Sequence, residues 1–193
     1  FEVISNLVKS LESKYCSIKI FQSEAGLGNA LRLGIEKSNG KVVAFLADDL
    51  PFGEQELDIC KNWDFGNETI VAISKYVRDA KYDTMLARRI YGRIFLLLRK
   101  KLIRCSVLDT QGSFVGNGII VRDLFSNSSE SEFLITTEFY RLAYLKKIQI
   151  REIPCVMSKS INRNSTIRLK HVVHMGYGLV KLAIKTRKFE VLN

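Results

Sequence analysis

The sequence predicts an α/β fold, and three observations carry the prediction. Of its 193 residues, 47% are hydrophobic and 26% charged, the balance of a chain that closes one compact domain around a core. Apolar spacing alternates along the chain between a period near two and a period near 3.6, so strands and helices are interspersed. Between residues 17 and 47 the order is strand, glycine-containing turn, helix, strand, which is the βαβ pattern of a parallel sheet.

The elements follow in order. Val3, Ile4, Leu7, Val8 and Leu11 give Phe1 to Tyr15 helical spacing, and Ser17 to Phe21 alternates like a short strand. Gly26 and Gly28 make a turn in which backbone can approach a ligand closely. Ala30, Leu31, Leu33, Gly34 and Ile35 then predict a helix that stops at Asn39-Gly40. The strand KVVAFLA follows and ends on two carboxylates, Asp48 and Asp49. In parallel sheets ligands bind beyond the carboxyl ends of the strands. An acidic pair there suits a hard divalent ion bridging phosphates; alternatively, one aspartate caps the turn over Leu50, Pro51, Phe52 and Gly53.

Charge is distributed unevenly along the chain. The net charge is +10, yet residues 1–74 carry 7 Lys/Arg against 11 Asp/Glu. The excess lies in residues 75–104, with 10 against 2, and in residues 146–193, with 11 against 2. Such segments attract phosphates on nucleotides, nucleic acids or anionic lipids, or else form solvated basic faces. Within TMLARRIYGRIFLLLRKKLIR, Leu86, Ile90, Ile94, Leu97, Leu98 and Leu102 recur at helical spacing, while Arg88, Arg89, Arg93, Arg99, Lys100 and Lys101 lie mostly off that stripe. Such a basic amphipathic helix either lies on an anionic membrane or packs on the sheet behind a solvated face.

Some classes are disfavoured. The longest strongly apolar run, Ile94 to Leu98, is far shorter than the roughly 20 residues a membrane-spanning helix requires. Cys16, Cys60, Cys105 and Cys155 are widely separated, so neither a zinc site nor a disulfide framework is indicated, and a cytoplasmic setting fits best. A nucleic-acid binder would interleave aromatics with the basic clusters, whereas residues 84–104 carry mainly aliphatics.

Five blocks occur in sequence: GLGNALRLGIEKSNGKVVAFLADDL, AISKYV, DTQGSF, FLITTEFY and REIPCVMSKSINRNST. In that order they resemble the family 2 glycosyltransferases, especially the branch that makes dolichyl-phosphate mannose and polyprenyl-phosphate glucose. The resemblance spans nearly the whole chain. It implies an A-type glycosyltransferase fold, a mixed sheet with helices on both faces. It also implies Mg²⁺ or Mn²⁺ as cofactor and inverting transfer of a hexose from a nucleotide-sugar to a polyprenyl or dolichyl phosphate.

By the same resemblance, Gly26, Gly28, Asp48 and Asp49 bind the donor, with Asp49 and Asp48 as metal ligands. Asp109 and Glu138 are the catalytic candidates. Arg88, Arg89, Arg163, Ser165 and Arg168 hold the diphosphate or the acceptor phosphate. The family's Asp-x-Asp falls on Ala47, Asp48 and Asp49, so Asp49 takes the second position, and Asp48 replaces the first only where the strand end shifts register. Glu138 has a further reading, an ion pair with Arg141 on one helix face.

Phe1 to Leu11 resembles the helix after the family's second motif. The expected architecture is therefore a single domain over 1–193 that lacks its first strands, with a basic loop and amphipathic helix over 162–193. The expected protein is peripheral on the cytoplasmic face of a membrane, with room for a membrane-anchoring subunit. Two alternatives remain: a catalytically silent relative acting as a scaffold, and a basic nucleic-acid binder.

Overall fold

A computed structural model describes residues 17–46, 55–65, 69–82, 86–156 and 169–191. These form a four-stranded mixed sheet and six helices. The helices are α1 (Leu27–Glu36), α2 (Gln55–Lys61), α3 (Leu86–Ile103), α4 (Gly118–Ser126), α5 (Ile135–Leu145) and α6 (Leu169–Val191). The strands are β1 (Val42–Phe45), β2 (Ile70–Ser74), β3 (Phe114–Asn117) and β4 (Ile150–Pro154), in the order β1-β3-β2-β4.

Strand β2 pairs in parallel with β4, while β3 is antiparallel to both β1 and β2. It follows that β1, β2 and β4 run in one direction and β3 alone is reversed. The expected α/β class and mixed sheet are observed. The strand expected over Ser17 to Phe21 is not, since residues 17–24 have no regular structure and Phe21 is exposed. Alternation over five residues cannot hold a strand without a partner to complete its hydrogen bonds. The predicted βαβ unit therefore does not form there, and β1 finds its described neighbour in β3 instead.

Side-chain alternation explains the layers. Val43, Ile70, Ala72 and Phe114 face a large core with Val121, Leu124, Phe125, Ile135, Phe139, Leu179 and Leu182, which brings α1, α4, α5 and α6 to one side. Val71 and Val115 point the other way and pack with Trp63, Ile59 and Cys60, so α2 and its following turn cover the second side. Strand β2 is buried along its whole length because both faces and both edges are covered. Stacked rings concentrate apolar burial at the centre, with Phe114 4.6 Å from Phe139 and 6.0 Å from Phe125 between centroids.

Helix α3 forms as predicted, but its faces are the reverse of a simple packed amphipath. Ile103 and Arg99 are fully buried, and Phe95 and Leu102 pack on the core. The stripe Leu86, Ile90, Ile94, Leu97 and Leu98 is exposed, Leu86 to 69% and Leu97 to 66%. Helix α6 packs beside α3 and exposes Tyr177, Val180 and Ile184. No described helix is long and apolar enough to cross a membrane.

Candidate functional site

The three parallel strands fix where chemistry can collect. Because β3 is reversed, the loop that enters it, residues 109–113, arrives at the edge where β2 and β4 end. Asp109 is 2% exposed on this edge. Its Oδ2 accepts the backbone N–H of Lys75 at 3.2 Å and lies 3.4 Å from Lys75 Nζ, while its Oδ1 accepts the Gln111 N–H at 3.1 Å. The Lys75 side chain remains 27% exposed and lies 5.5 Å from the Tyr76 ring centroid.

A second carboxylate holds the loop from beneath. Glu152, on β4, accepts the Leu108 N–H at 2.9 Å and the Asp109 N–H at 3.2 Å. Ile73 N–H donates to the Ser113 carbonyl at 3.0 Å, and a Cβ on Gly112 would stand 2.2 Å from the Ile73 carbonyl oxygen. Only glycine allows the loop to lie this tightly against β2. The result is a buried carboxylate of fixed orientation paired with a partly exposed lysine, an arrangement suited to orienting an anionic substrate.

Thr110 and Gln111 tie this loop to the start of α5. The Thr110 and Thr137 hydroxyls are 2.9 Å apart, and Gln111 Nε2 donates to Thr137 Oγ1 at 3.2 Å and to the Phe133 carbonyl at 3.3 Å. Glu138, the next residue, serves a separate network. Its Oε2 accepts the N–H groups of Ser129 and Glu130 at 2.9 and 2.8 Å, and its Oε1 pairs with Lys185 at 2.5 Å. The ion pair that Glu138 shows is with Lys185, while Arg141 donates to the Arg104 carbonyl. Glu138 thus fixes the segment on which Gly26 and Gly28 rest.

That contact accounts for both glycines. Gly26 has φ of +114°, and a Cβ there would lie 2.3 Å from the Ser131 carbonyl oxygen; at Gly28 the distance to the Glu130 carbonyl oxygen would be 2.2 Å. Gly28 N–H donates to Ser131 at 2.8 Å. The close backbone approach read from sequence is made, and it is to the chain's own residues 130–131. Arg32 fastens the same segment through the carbonyls of Ser128 and Glu130.

The structure therefore brings Asp109 together with Lys75 and Glu152, and Glu138 together with the Gly26–Gly28 turn. Arg89 is exposed on α3. Asp48, Asp49, Arg163, Ser165, Arg168 and the Arg88 side chain lie outside the described residues. Among the described residues, no three His, Cys, Asp or Glu side chains assemble as a metal cage. Lys75, Glu152, Arg99 and Lys185 were missed by sequence reasoning. Lys75 and Glu152 do lie inside the blocks AISKYV and REIPC, one residue beyond a strand end and at a strand centre.

Two cysteines near this edge are buried thiols, Cys105 and Cys155. Burial pushes both up, Cys155 to about 11 with Asp109 adding to the rise. At pH 8 the Cys155 thiolate is then on the order of one part in a thousand, and the thiolate is the reactive form. Iodoacetamide at pH 8 is expected to leave both residues unmodified in the folded protein and to modify both in urea, as read by peptide mass spectrometry.

In comparisons with known proteins, no family model and no curated sequence matches the chain.

Proposed function

We propose that this protein is an inverting hexosyltransferase that works at a membrane surface, moving a sugar from a nucleotide-sugar to a polyprenyl or dolichyl phosphate. The observation that carries the reading is the continuity of two features. Helix α3 leaves an aliphatic stripe exposed, flanked by exposed Arg89, Arg93, Lys100 and Lys101, and six residues beyond its end the chain reaches Lys75-paired Asp109. A surface fitted to anionic lipid thus leads directly into a site fitted to an anionic head group. The order of the five sequence blocks and the single reversed strand in an otherwise parallel sheet support the same reading.

In the proposed reaction a phosphate oxygen of the lipid attacks the anomeric carbon of the donor. A new carbon–oxygen bond forms on the face opposite the leaving group, and the bond to the nucleoside diphosphate breaks with its electron pair. The attacking oxygen is already an anion at neutral pH, so positioning matters more than proton removal. Asp109 orients Lys75, whose partly exposed side chain meets the acceptor phosphate, and Glu138 keeps the glycine turn beside the donor in place. A divalent ion would offset the charge gathering on the leaving diphosphate. Asp49 and Asp48, outside the described residues, would hold that ion.

Vesicle co-sedimentation with labelled nucleotide-sugar and polyprenyl phosphate tests the proposal. Binding to anionic vesicles is expected at low salt, with label passing to lipid when Mg²⁺ or Mn²⁺ is present. Replacing Arg89, Arg93 and Lys100 by Gln should weaken binding on the order of a hundredfold at low salt, since each interfacial cation contributes about 1 kcal/mol. It should also flatten the salt dependence, because these charges are screened over about 8 Å at physiological ionic strength. Replacing exposed Leu97 and Leu98 by Ser should weaken binding at every salt concentration without unfolding the helix. Folded protein that ignores anionic vesicles overturns the membrane assignment; binding without transfer leaves a scaffold in its place.

A further inference from the structure

Arg99 and Arg141 are the largest fully buried side chains among the described residues, and Arg99 lies on α3 opposite the exposed aliphatic stripe. Its Nη2 donates to the Leu108 carbonyl at 3.2 Å, while its Nη1 has no hydrogen-bond partner. The N–H of Leu108 is held by both Glu152 oxygens at 2.9 Å. Leu108 is therefore clamped from two sides, by α3 through its carbonyl and by β4 through its amide, and the next residue is Asp109. Burial lowers the pKa of Arg99, and Cys105, Asp109 and Glu152 act against that effect.

A methionine of similar length would fill this space without desolvating a charge, and buried ionic groups are seldom favoured over such a replacement for stability alone. The guanidinium does what methionine cannot, which is to join a helix with an uncovered outer face to the loop that carries Asp109. Its Nη1 has no hydrogen-bond partner in this arrangement, so the guanidinium keeps a donor that a shift of α3 could engage. An element with two arrangements is what physical coupling between separate sites requires.

We propose that Arg99 is a positioning residue that couples engagement of the outer face of α3 by an anionic bilayer to the placement of Asp109. The inference rests on the membrane-surface reading above and adds a regulatory consequence: the site is set in its working geometry when α3 is seated on lipid. Rigid α3 carries a displacement at Leu97 or Ile94 to the opposite side of the same helix. There Arg99 passes it to the Leu108 carbonyl, and Glu152 supplies the fixed point against which the loop turns.

Hydrogen exchange of the Leu108, Asp109 and Gln111 amides, with and without phosphatidylcholine vesicles containing phosphatidylglycerol, tests the coupling. Vesicle binding should slow these amides by about tenfold in the unaltered protein, within the usual range of coupling between sites. Arg99→Lys, which keeps a cation able to reach the carbonyl, should retain part of the slowing. Arg99→Met should lose it while sedimenting with vesicles as the parent does. Bound protein whose loop amides are unchanged overturns the coupling and leaves the membrane assignment intact, whereas protein that never binds overturns both. An equal slowing in Arg99→Met also overturns it. Should circular dichroism show that variant unfolded, the parent and Arg99→Lys decide the matter.

Discussion

Asp109→Asn is expected to cut the proposed transfer about a hundredfold or more, the scale of loss that follows when a reacting group is displaced by an ångström. The carboxylate is 2% exposed and receives donors on both oxygens: Lys75 N and Nζ on one, Gln111 N on the other. Asparagine preserves the volume but presents an NH₂ to one of these donors. One pair of hydrogen atoms then faces another, Lys75 loses its counter-charge, and its tip leaves the position in which it meets the acceptor phosphate. Stability should fall by about 1–3 kcal/mol, the cost of a buried polar group left without its partner. Because Lys75 binds the acceptor in this mechanism, Lys75→Met should raise the acceptor KM more than it lowers kcat, whereas Asp109→Asn should lower kcat. Transfer by folded Asp109→Asn within about twofold of the parent would remove Asp109 from the reaction.

How much of this site the sequence disclosed depends on the range of the interaction. Asp109 was legible because DTQGSF is a short contiguous block, and so was α5 around Glu138. Their partners were not. Glu152 reaches Asp109 because β4 pairs in parallel with β2, Val71 opposite Arg151, across a separation in sequence that no local spacing reports. Lys75 reaches it because the reversed strand β3 delivers its entry loop to the end of β2. Lys185 approaches Glu138 only when α6 lies against α5.

Helix α3 teaches a different lesson. Its period gave the helix and its apolar stripe correctly, but spacing alone does not say which stripe turns inward. The inward positions include Phe95, Arg99 and Ile103, spaced by four residues, and a hydrophobicity reading discards that stripe because an arginine interrupts it. Arg99 was accordingly grouped with the surface cations, and it proves fully buried. At Ser17 to Phe21 the reverse holds: alternation is present, and among the described residues no strand lies beside it to make it count.

Glu138→Ala is expected to be the most destabilising single change considered, by about 2–4 kcal/mol, the cost of leaving the two amides that it accepts without a partner. Glu138 is 1% exposed and receives two backbone N–H groups as well as Lys185, itself 31% exposed. The alanine variant leaves both amides without an acceptor. Lys185 is less of a burden, because its tip can turn toward solvent. Glu138→Gln keeps an oxygen for the amides and should therefore lose only about 1–2 kcal/mol, near the value of a hydrogen bond to a charged group. For a domain of this size the alanine loss corresponds to a fall of roughly 4–16 °C in Tm, read by calorimetry. A double-mutant cycle with Lys185→Met isolates the ion pair from the two amide contacts. The damage should also travel to the glycine turn, since segment 129–131 carries the Ser131 carbonyl that receives Gly28 N–H. Faster exchange of the Gly28 amide in Glu138→Gln, with the β2 amides unchanged, is the expected signature. Glu138→Ala with the stability of the parent would show that the segment is held by Arg32 and its own turn, and would return Glu138 to the list of candidates for direct chemistry.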